Sequence, residues 1–187
     1  GDTVVDLTGV VQTAIARGRA VDGGRGVQIT AFESPDDVWI RGDERQLVSA
    51  VGNLVENAVK YSRGDDAVQI RVRVDDNAVE IMVADQGVGI PTRDLDRVFE
   101  RFYRVDKARS RETGGTGLGL SIVRHVATNH GGEVLVSSQE GEGSTFVLRL
   151  PADLVVRAPE SETSLSVGDT SSSQTDVSRA SDRGTNE

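Results

Sequence analysis

Apolar residues recur along this chain with two different periods, and the switches between them divide it into elements. From residue 42 to residue 62, Leu47, Val51, Leu54 and Ala58 return at helical spacing, with Val48, Val55 and Val59 beside them. At roughly 100° per residue these positions fill one wide stripe. Asn53, Asn57, Lys60 and Tyr61 gather on the other side, and Asp43 has the chemistry of an N-cap. The same period predicts a helix over residues 4 to 20, carried by Val4, Leu7, Val10, Val11, Ala14 and Ile15. Asp6 or Thr8 caps it, and Gly23-Gly24 ends it. A third helix runs from Leu118 to about Asn129 on Ile122, Val123, Val126 and Ala127, with Gly131-Gly132 as its stop.

Between the helices the period falls to two. Val27 to Phe32 reads as a strand with Val27, Ile29 and Ala31 on one face, and Val38-Trp39-Ile40 as a short second strand. Ala67 to Val74 alternates cleanly, with Val68, Ile70, Val72 and Val74 inward, and Val79 to Ala84 returns after the turn at Asp75-Asp76-Asn77. Glu133 to Ser138 and Ser144 to Leu150 form a last hairpin, closed by Pro151. Three helices and about five main strands, mostly in hairpins, predict an α/β two-layer sandwich. A mixed sheet of about five strands carries the helices on one face. Residues 1–152 make the domain, and residues 153–187 a polar, acidic, disordered tail rich in Ser, Thr, Asp and Glu.

Composition narrows the function classes. The formal charge of −9 argues against nucleic acid as a partner, because phosphate binding needs basic patches. No run reaches the roughly 18 apolar residues of a membrane span. With no cysteine and two histidines, thiolate metal sites are excluded and a cytoplasmic setting fits. The first residue is Gly, so the chain reads as a piece of a longer protein.

Residues 85 to 119 break both periods, and an irregular stretch of that length is functional or mobile. Asp85-Gln-Gly-Val-Gly-Ile-Pro91 follows directly on a strand, so Gly87 and Gly89 let backbone pass close to a ligand and Asp85 offers an acceptor for an exocyclic amine. Gly114-Gly-Thr-Gly-Leu-Gly-Leu120 opens a helix, whose free N–H groups favour an anion. Each alone is also what a tight turn looks like, and neither matches a phosphate loop ending in Lys-Ser/Thr. Together with the amide-bearing face of the central helix they divide into metal, flat-ring and phosphate roles.

Four ordered segments carry a family resemblance over about residues 4 to 151. Asn53-Leu-Val-Glu-Asn-Ala-Val-Lys-Tyr-Ser62 resembles the N box of sensor histidine kinases, and Asp85 to Pro91 their first glycine box. Val98-Phe-Glu-Arg-Phe-Tyr-Arg-Val-Asp106 resembles their F box, and Gly115 to Leu120 their second glycine box. The resemblance implies the Bergerat ATP-binding fold, with ATP and Mg²⁺ as ligands. By motif position, Asn57 would hold Mg²⁺, Asn53 would lie near phosphate or metal, and Lys60 would balance phosphate charge, so these three are the implied catalytic set. Tyr61 would pack along adenine, Asp85 would accept from its N6 amine, and Gly87, Gly89 and Ile90 would line its approach. Gly115, Thr116, Gly117, Leu118, Gly119 and Leu120 would present backbone to the phosphates, and Thr145 would hold the adenine edge. The segment between the glycine boxes would be an ATP lid, with Phe102, Tyr103, Arg104 and Lys107 facing the nucleotide.

The family's phosphoacceptor histidine lies in a preceding helical domain, and neither His125 nor His130 sits in such a motif, so both read as structural. Glu56 has the spacing of a general base but ranks low, since the resemblance places the base beside the phosphoacceptor. The implied partners are the helical dimerisation and phosphoacceptor domain of the same protein, as a homodimer, and a response regulator. The implied setting is the cytoplasmic part of a membrane-anchored bacterial sensor. The rivals are a gyrase-type or mismatch-repair-type ATPase, a serine kinase that binds a sigma factor, and a degenerate nucleotide-binding module. The first would put a glutamate where Asn53 stands, and the first two lack this F box.

Overall fold

The computed structural model describes residues 3–31, 35, 37–105 and 116–158. In chain order the elements are β1 (Thr3–Asp6), α1 (Leu7–Asp22), β2 (Gln28–Ala31), β3 (Trp39–Gly42), α2 (Glu44–Tyr61), β4 (Ala67–Val74) and β5 (Ala78–Asp85). A 3-10 turn at Thr92–Asp94 precedes α3 (Gly119–Asn129), β6 (Glu133–Gln139) and β7 (Gly143–Pro151); a second such turn at Ala152–Leu154 leads to β8 (Val155–Val156).

The main sheet has the order β2-β4-β5-β7-β6. Only the β2–β4 pair is parallel; β4–β5, β5–β7 and β6–β7 are antiparallel. Leu47, Val51, Leu54 and Val55 of α2 are fully buried against Ile70, Ile81 and Leu148 of the sheet, and α2 lies between α1 and α3. This is the expected two-layer sandwich with a mixed sheet. Each fully buried aliphatic side chain of this kind contributes roughly 1.5–3 kcal/mol, so the α2 stripe is the centre of the core.

The ends of the helices follow their local chemistry. Asp6 caps α1 by accepting from the N–H groups of Thr8 at 2.8 Å and Gly9 at 3.2 Å, and Gly23 closes it with φ +58°. Asp43 caps α2 by accepting from Gln46 N–H at 3.0 Å. At its own N–H, Asp43 donates to His130 Nε2 at 3.1 Å, while His130 Nδ1 lies 2.8 Å from the Val126 carbonyl. His130 therefore carries its proton on Nδ1 and links the end of α3 to the start of α2.

Three expectations change. Residues 3–6 form a strand rather than the first turn of a helix, pairing with β3 in a separate three-stranded sheet, β1-β3-β8. Val4 and Leu7 mimic helical spacing, but Val5 is the buried residue, at 2% exposure, and the Asp6 cap starts the helix. Val74, at the last position of β4, is 39% exposed instead of facing the core. Regular structure also continues past residue 152, where the tail was expected to begin, into β8, which pairs with β3. Phe32 and the remainder of the tail, 159–187, lie outside the described residues.

Candidate functional site

At the C-terminal end of α2 the helix layer parts from the sheet and leaves a cavity of about 370 Å³. Asn57, Ala58 and Tyr61 of α2 form one wall, and Asp85, Ser144 and Phe146 on the sheet form the floor. Arg63, the loop Val88–Pro91, Val98, the segment Tyr103–Val105, Leu120 of α3 and Glu140-Gly141 complete it. A mostly apolar cleft of that size with a few convergent polar groups is what a small-molecule site requires.

Asp85 is the last residue of β5 and continues the face made by Val79, Ile81 and Val83, so alternation points it towards the helix layer and into the cleft. Burial pushes its carboxyl up to about 6, with the nearby Asp66 adding to that; the N–H groups of Gly87 and Ser144 pull the other way. Gly87 N–H donates to Asp85 Oδ1 at 2.9 Å. With these N–H groups beside it, the carboxylate lines a cavity with largely apolar walls and can accept there.

The glycines of the first glycine loop also meet a requirement of the fold itself. A Cβ on Gly87 would strike the Tyr61 carbonyl, and one on Gly89, which has φ +68°, would strike the Gln139 carbonyl. These glycines let protein backbone approach protein backbone. The loop is then pinned by Val88 N–H to the Tyr61 carbonyl at 3.3 Å, by Gly141 N–H to the Val88 carbonyl at 2.7 Å and by Ile90 N–H to Ser138 Oγ at 2.8 Å. Gly89 and Ile90 line the cavity, and Gly87 is buried behind it.

The start of α3 meets the polar face of α2. A Cβ on Gly119 would lie 2.8 Å from Asn53 Oδ1 and 3.6 Å from Asn57 Nδ2, so both amides stand beside the first turn of α3. Among the described residues no side chain caps that turn, and its N–H groups, with the helix dipole, make an anion-favouring end. Asn53 is oriented by its Nδ2, which donates to the Ser49 carbonyl at 2.7 Å and leaves Oδ1 facing α3. Among the described residues no group of three acidic or histidine side chains gathers. A divalent cation here would draw on amide and phosphate oxygens and water, which suits a hard ion such as Mg²⁺.

Between the two glycine segments, Phe102 N–H donates to the Gly117 carbonyl at 2.9 Å. Tyr103 is fixed by its hydroxyl, which donates to Asp94 Oδ1 at 2.6 Å, and by Arg97 stacked 4.2 Å from its ring centre. The Asp94 acceptor raises the Tyr103 hydroxyl's pKa above its ordinary value. Arg104 lines the cavity, and among the described residues its buried Nη2 has no hydrogen-bond partner. A buried guanidinium nitrogen without a partner is costly unless a ligand satisfies it, and its charge calls for an anion.

The expected site residues are thus sorted. Asn57, Tyr61, Asp85, Gly89, Ile90, Tyr103, Arg104 and Leu120 line one cavity, and Asn53, Gly117, Leu118 and Gly119 lie at its α3 edge. Lys60 and Thr116 do not line it, and Phe102 is 71% exposed, turned outward by φ +64°. Thr145 alternates with Ser144 and Phe146 onto the open face of the sheet, away from the cavity. Lys107 and Gly115 lie outside the described residues. Reading the sequence alone missed Ser144, Phe146 and Arg63; pairing Asp85 with the hairpin register would have found Ser144, which stands opposite it. Glu56 is occupied: Arg17 of α1 grips its Oε1 through Nε and Nη2, both at 2.7 Å.

Residues 42–154 match the family model described as "Histidine kinase-, DNA gyrase B-, and HSP90-like ATPase". The sensor-like histidine kinase SenX3 of Mycolicibacterium smegmatis is 48% identical over 147 residues, which cover 79% of this chain and 38% of SenX3. The chain therefore spans well under half the length of that relative. The solved mycobacterial sensor histidine kinase MprB aligns at TM-score 0.68 and 32% identity, covering 80% of this chain and 97% of that one. Full-length ShkA in complex with AMPPNP aligns at TM-score 0.68 and 28% identity, over 84% of this chain and 32% of ShkA.

Proposed function

We propose that this chain, which belongs to the histidine kinase-, DNA gyrase B- and HSP90-like ATPases and is homologous to the catalytic domains of sensor histidine kinases, binds Mg-ATP and donates its γ-phosphate to a histidine on a separate helical domain. One observation carries the reading. A single cavity sets the Asp85 acceptor at its sheet end, the ring of Tyr61 on its wall, and the Asn53–Asn57 amides beside the uncapped start of α3.

The parts divide the work of nucleotide binding. Asp85 accepts from the adenine N6 amine, which a 6-oxo purine lacks. Tyr61, Ile90 and Phe146 supply apolar walls for the ring. The N-terminal turn of α3 and Arg104 face the phosphates, and charge neutralisation there is the main requirement of phosphoryl transfer. Asn57 would hold Mg²⁺, which would supply charge neutralisation at the phosphates. Lys60 and Lys107 are the further cations of this reading.

Neither histidine of the chain suits the acceptor role. His130 spends both ring nitrogens on α2 and α3, and His125 lies on α3 beside Asn129. The acceptor is therefore assigned to a helical dimerisation domain, with a response regulator downstream and a membrane-anchored sensor as the whole protein. Among the described residues no helix is long and apolar enough to cross a membrane.

The test mixes this chain with the helical domain of its own protein and γ-labelled ATP. Acid-labile, base-stable label on the helical domain, absent with Asn57→Ala, is the expected result. Nucleotide hydrolysis with no such label would overturn the kinase reading in favour of an ATPase.

A further inference from the structure

We propose that Ser138, in β6 and outside the cavity, is a purine-specificity positioning residue that acts by fixing the proton of the Ser144 hydroxyl. Ser138 Oγ has three neighbours: the Ile90 N–H at 2.8 Å, the Gly143 carbonyl at 2.7 Å and Ser144 Oγ at 3.0 Å. A hydroxyl has one proton and two lone pairs. The Gly143 carbonyl can only accept, so it takes the Ser138 proton, and the Ile90 N–H can only donate, so it fills one lone pair. The remaining lone pair receives the Ser144 hydroxyl, which is thereby a donor towards Ser138 and an acceptor towards the cavity.

Ser144 is 7% exposed, lines the cavity and stands opposite Asp85 in the β5–β7 register. Among the described residues the floor then presents two acceptors side by side and no side-chain donor of its own. A 6-amino purine brings two N–H bonds on one nitrogen and suits that pair. A 6-oxo purine brings an acceptor and meets two more. Without Ser138 the Ser144 proton is free to turn inward, which offers a donor to a 6-oxo group and blurs the distinction. Ser138 also joins the first glycine loop to the β6–β7 hairpin, so a purely structural role predicts a different outcome.

This inference rests on the nucleotide reading above, and the two fail differently. The experiment measures the affinities of ADP and IDP, with Mg²⁺, for the wild-type chain, Ser138→Ala and Ser138→Thr. Wild type should prefer ADP, Ser138→Ala should lower the ADP-to-IDP preference about fivefold, the weight of one ordinary hydrogen bond, and Ser138→Thr should restore it. If Ser138→Ala weakens both nucleotides equally, Ser138 only holds the loop and the inference is overturned. If the wild type binds neither nucleotide, it is the nucleotide reading that fails. Should Ser138→Ala not fold, Ser138→Thr with an unchanged preference and Ser144→Ala with a reduced one support the inference, and Ser144→Ala with an unchanged preference overturns it.

Discussion

Gly119 and Asn53 are packed so closely that a methyl group on Gly119 would lie 2.8 Å from the Asn53 amide oxygen. The contact joins the first turn of α3 to the polar face of α2, and it makes glycine a condition for the position of that amide. Alanine is a better helix former than glycine by about 1 kcal/mol, and the atom it would strike is the end of a side chain that can swing away. Gly119→Ala should therefore leave the melting temperature within about 2 °C, since about 1 kcal/mol moves a domain of this size by only a few degrees. Nucleotide affinity should fall about tenfold, because Asn53 is displaced and 1.4 kcal/mol is lost at the phosphate end. Calorimetric titration with Mg-ADP reads the difference, and unchanged affinity would separate Asn53 from the site.

Asp85 predicts a pH dependence whose sign is fixed by the direction of its shift. Its carboxyl titrates near 6 in the fold against an ordinary 3.8. Between those values the folded chain holds a proton that the unfolded chain has lost, so at this group acidification through 6 favours the nucleotide-free fold. Above 6 the buried charge is a cost. Asp85→Asn should accordingly melt higher than wild type at about pH 7.5, and the gap should close below the wild-type value near 6. An amine donating to Asp85 favours the ionised form, so ADP affinity of the wild type should rise with pH through about 6. Running Asp85→Asn beside it cancels the titration of the phosphates. Parallel pH profiles for the two proteins would place adenine elsewhere.

Glu56 occupies the polar face of α2 between Asn53 and Asn57, yet its carboxylate is turned to Arg17 of α1. The Arg17 guanidinium also lies over Gly52, where a Cβ would meet it, and donates to the Val48 carbonyl at 3.3 Å. Arg17 is 37% exposed, so the pair is screened by solvent and holds α1 to α2 by about 1 kcal/mol at most. Glu56→Gln should lower the melting temperature by a few degrees, on the order of 2–4 °C. Phosphotransfer to the helical domain should stay within about twofold of wild type. A loss of activity at an unchanged nucleotide affinity would return Glu56 to the chemistry as a base.

What the sequence disclosed follows the physics of each signal. Long periods survive tertiary context, which is why α2, the β4–β5 hairpin and the β6–β7 hairpin stand where their patterns put them. The four-residue β1 has too few positions to define a period, and its edge pairing with β3 has no local cause. The Asp85 and Gly119 positions were legible as motifs. The role of Gly87 and Gly89 was not, because the Tyr61 and Gln139 carbonyls that exclude a Cβ come from other elements. Lys60 shares a helical face with Asn57 but not its cavity, since the face is wider than the cleft it borders.

Gly143-Ser144-Thr145-Phe146 shows how one residue of register decides a site. In a strand the side-chain period is two, so adjacent positions face opposite sides and a shift of one exchanges them. Phe146, Leu148 and Leu150 are buried under the helices, which fixes Ser144 on the same face, opposite Asp85. Thr145 falls with Val147 and Arg149 on the open face. The resemblance points to the threonine, and the serine is the residue in the cavity. Thr145→Val keeps shape and strand propensity on the open face, and should leave Mg-ADP affinity within about twofold and stability within about 0.5 kcal/mol. Ser144→Ala removes an acceptor beside Asp85, and should lower ADP affinity about fivefold, the weight of one hydrogen bond. The two substitutions are neighbours in sequence and similar in size, so a general disturbance of β7 would weaken binding in both. Only the face that each side chain takes distinguishes them. Loss of affinity in Thr145→Val with Ser144→Ala unaffected would mean that β7 runs in the opposite phase.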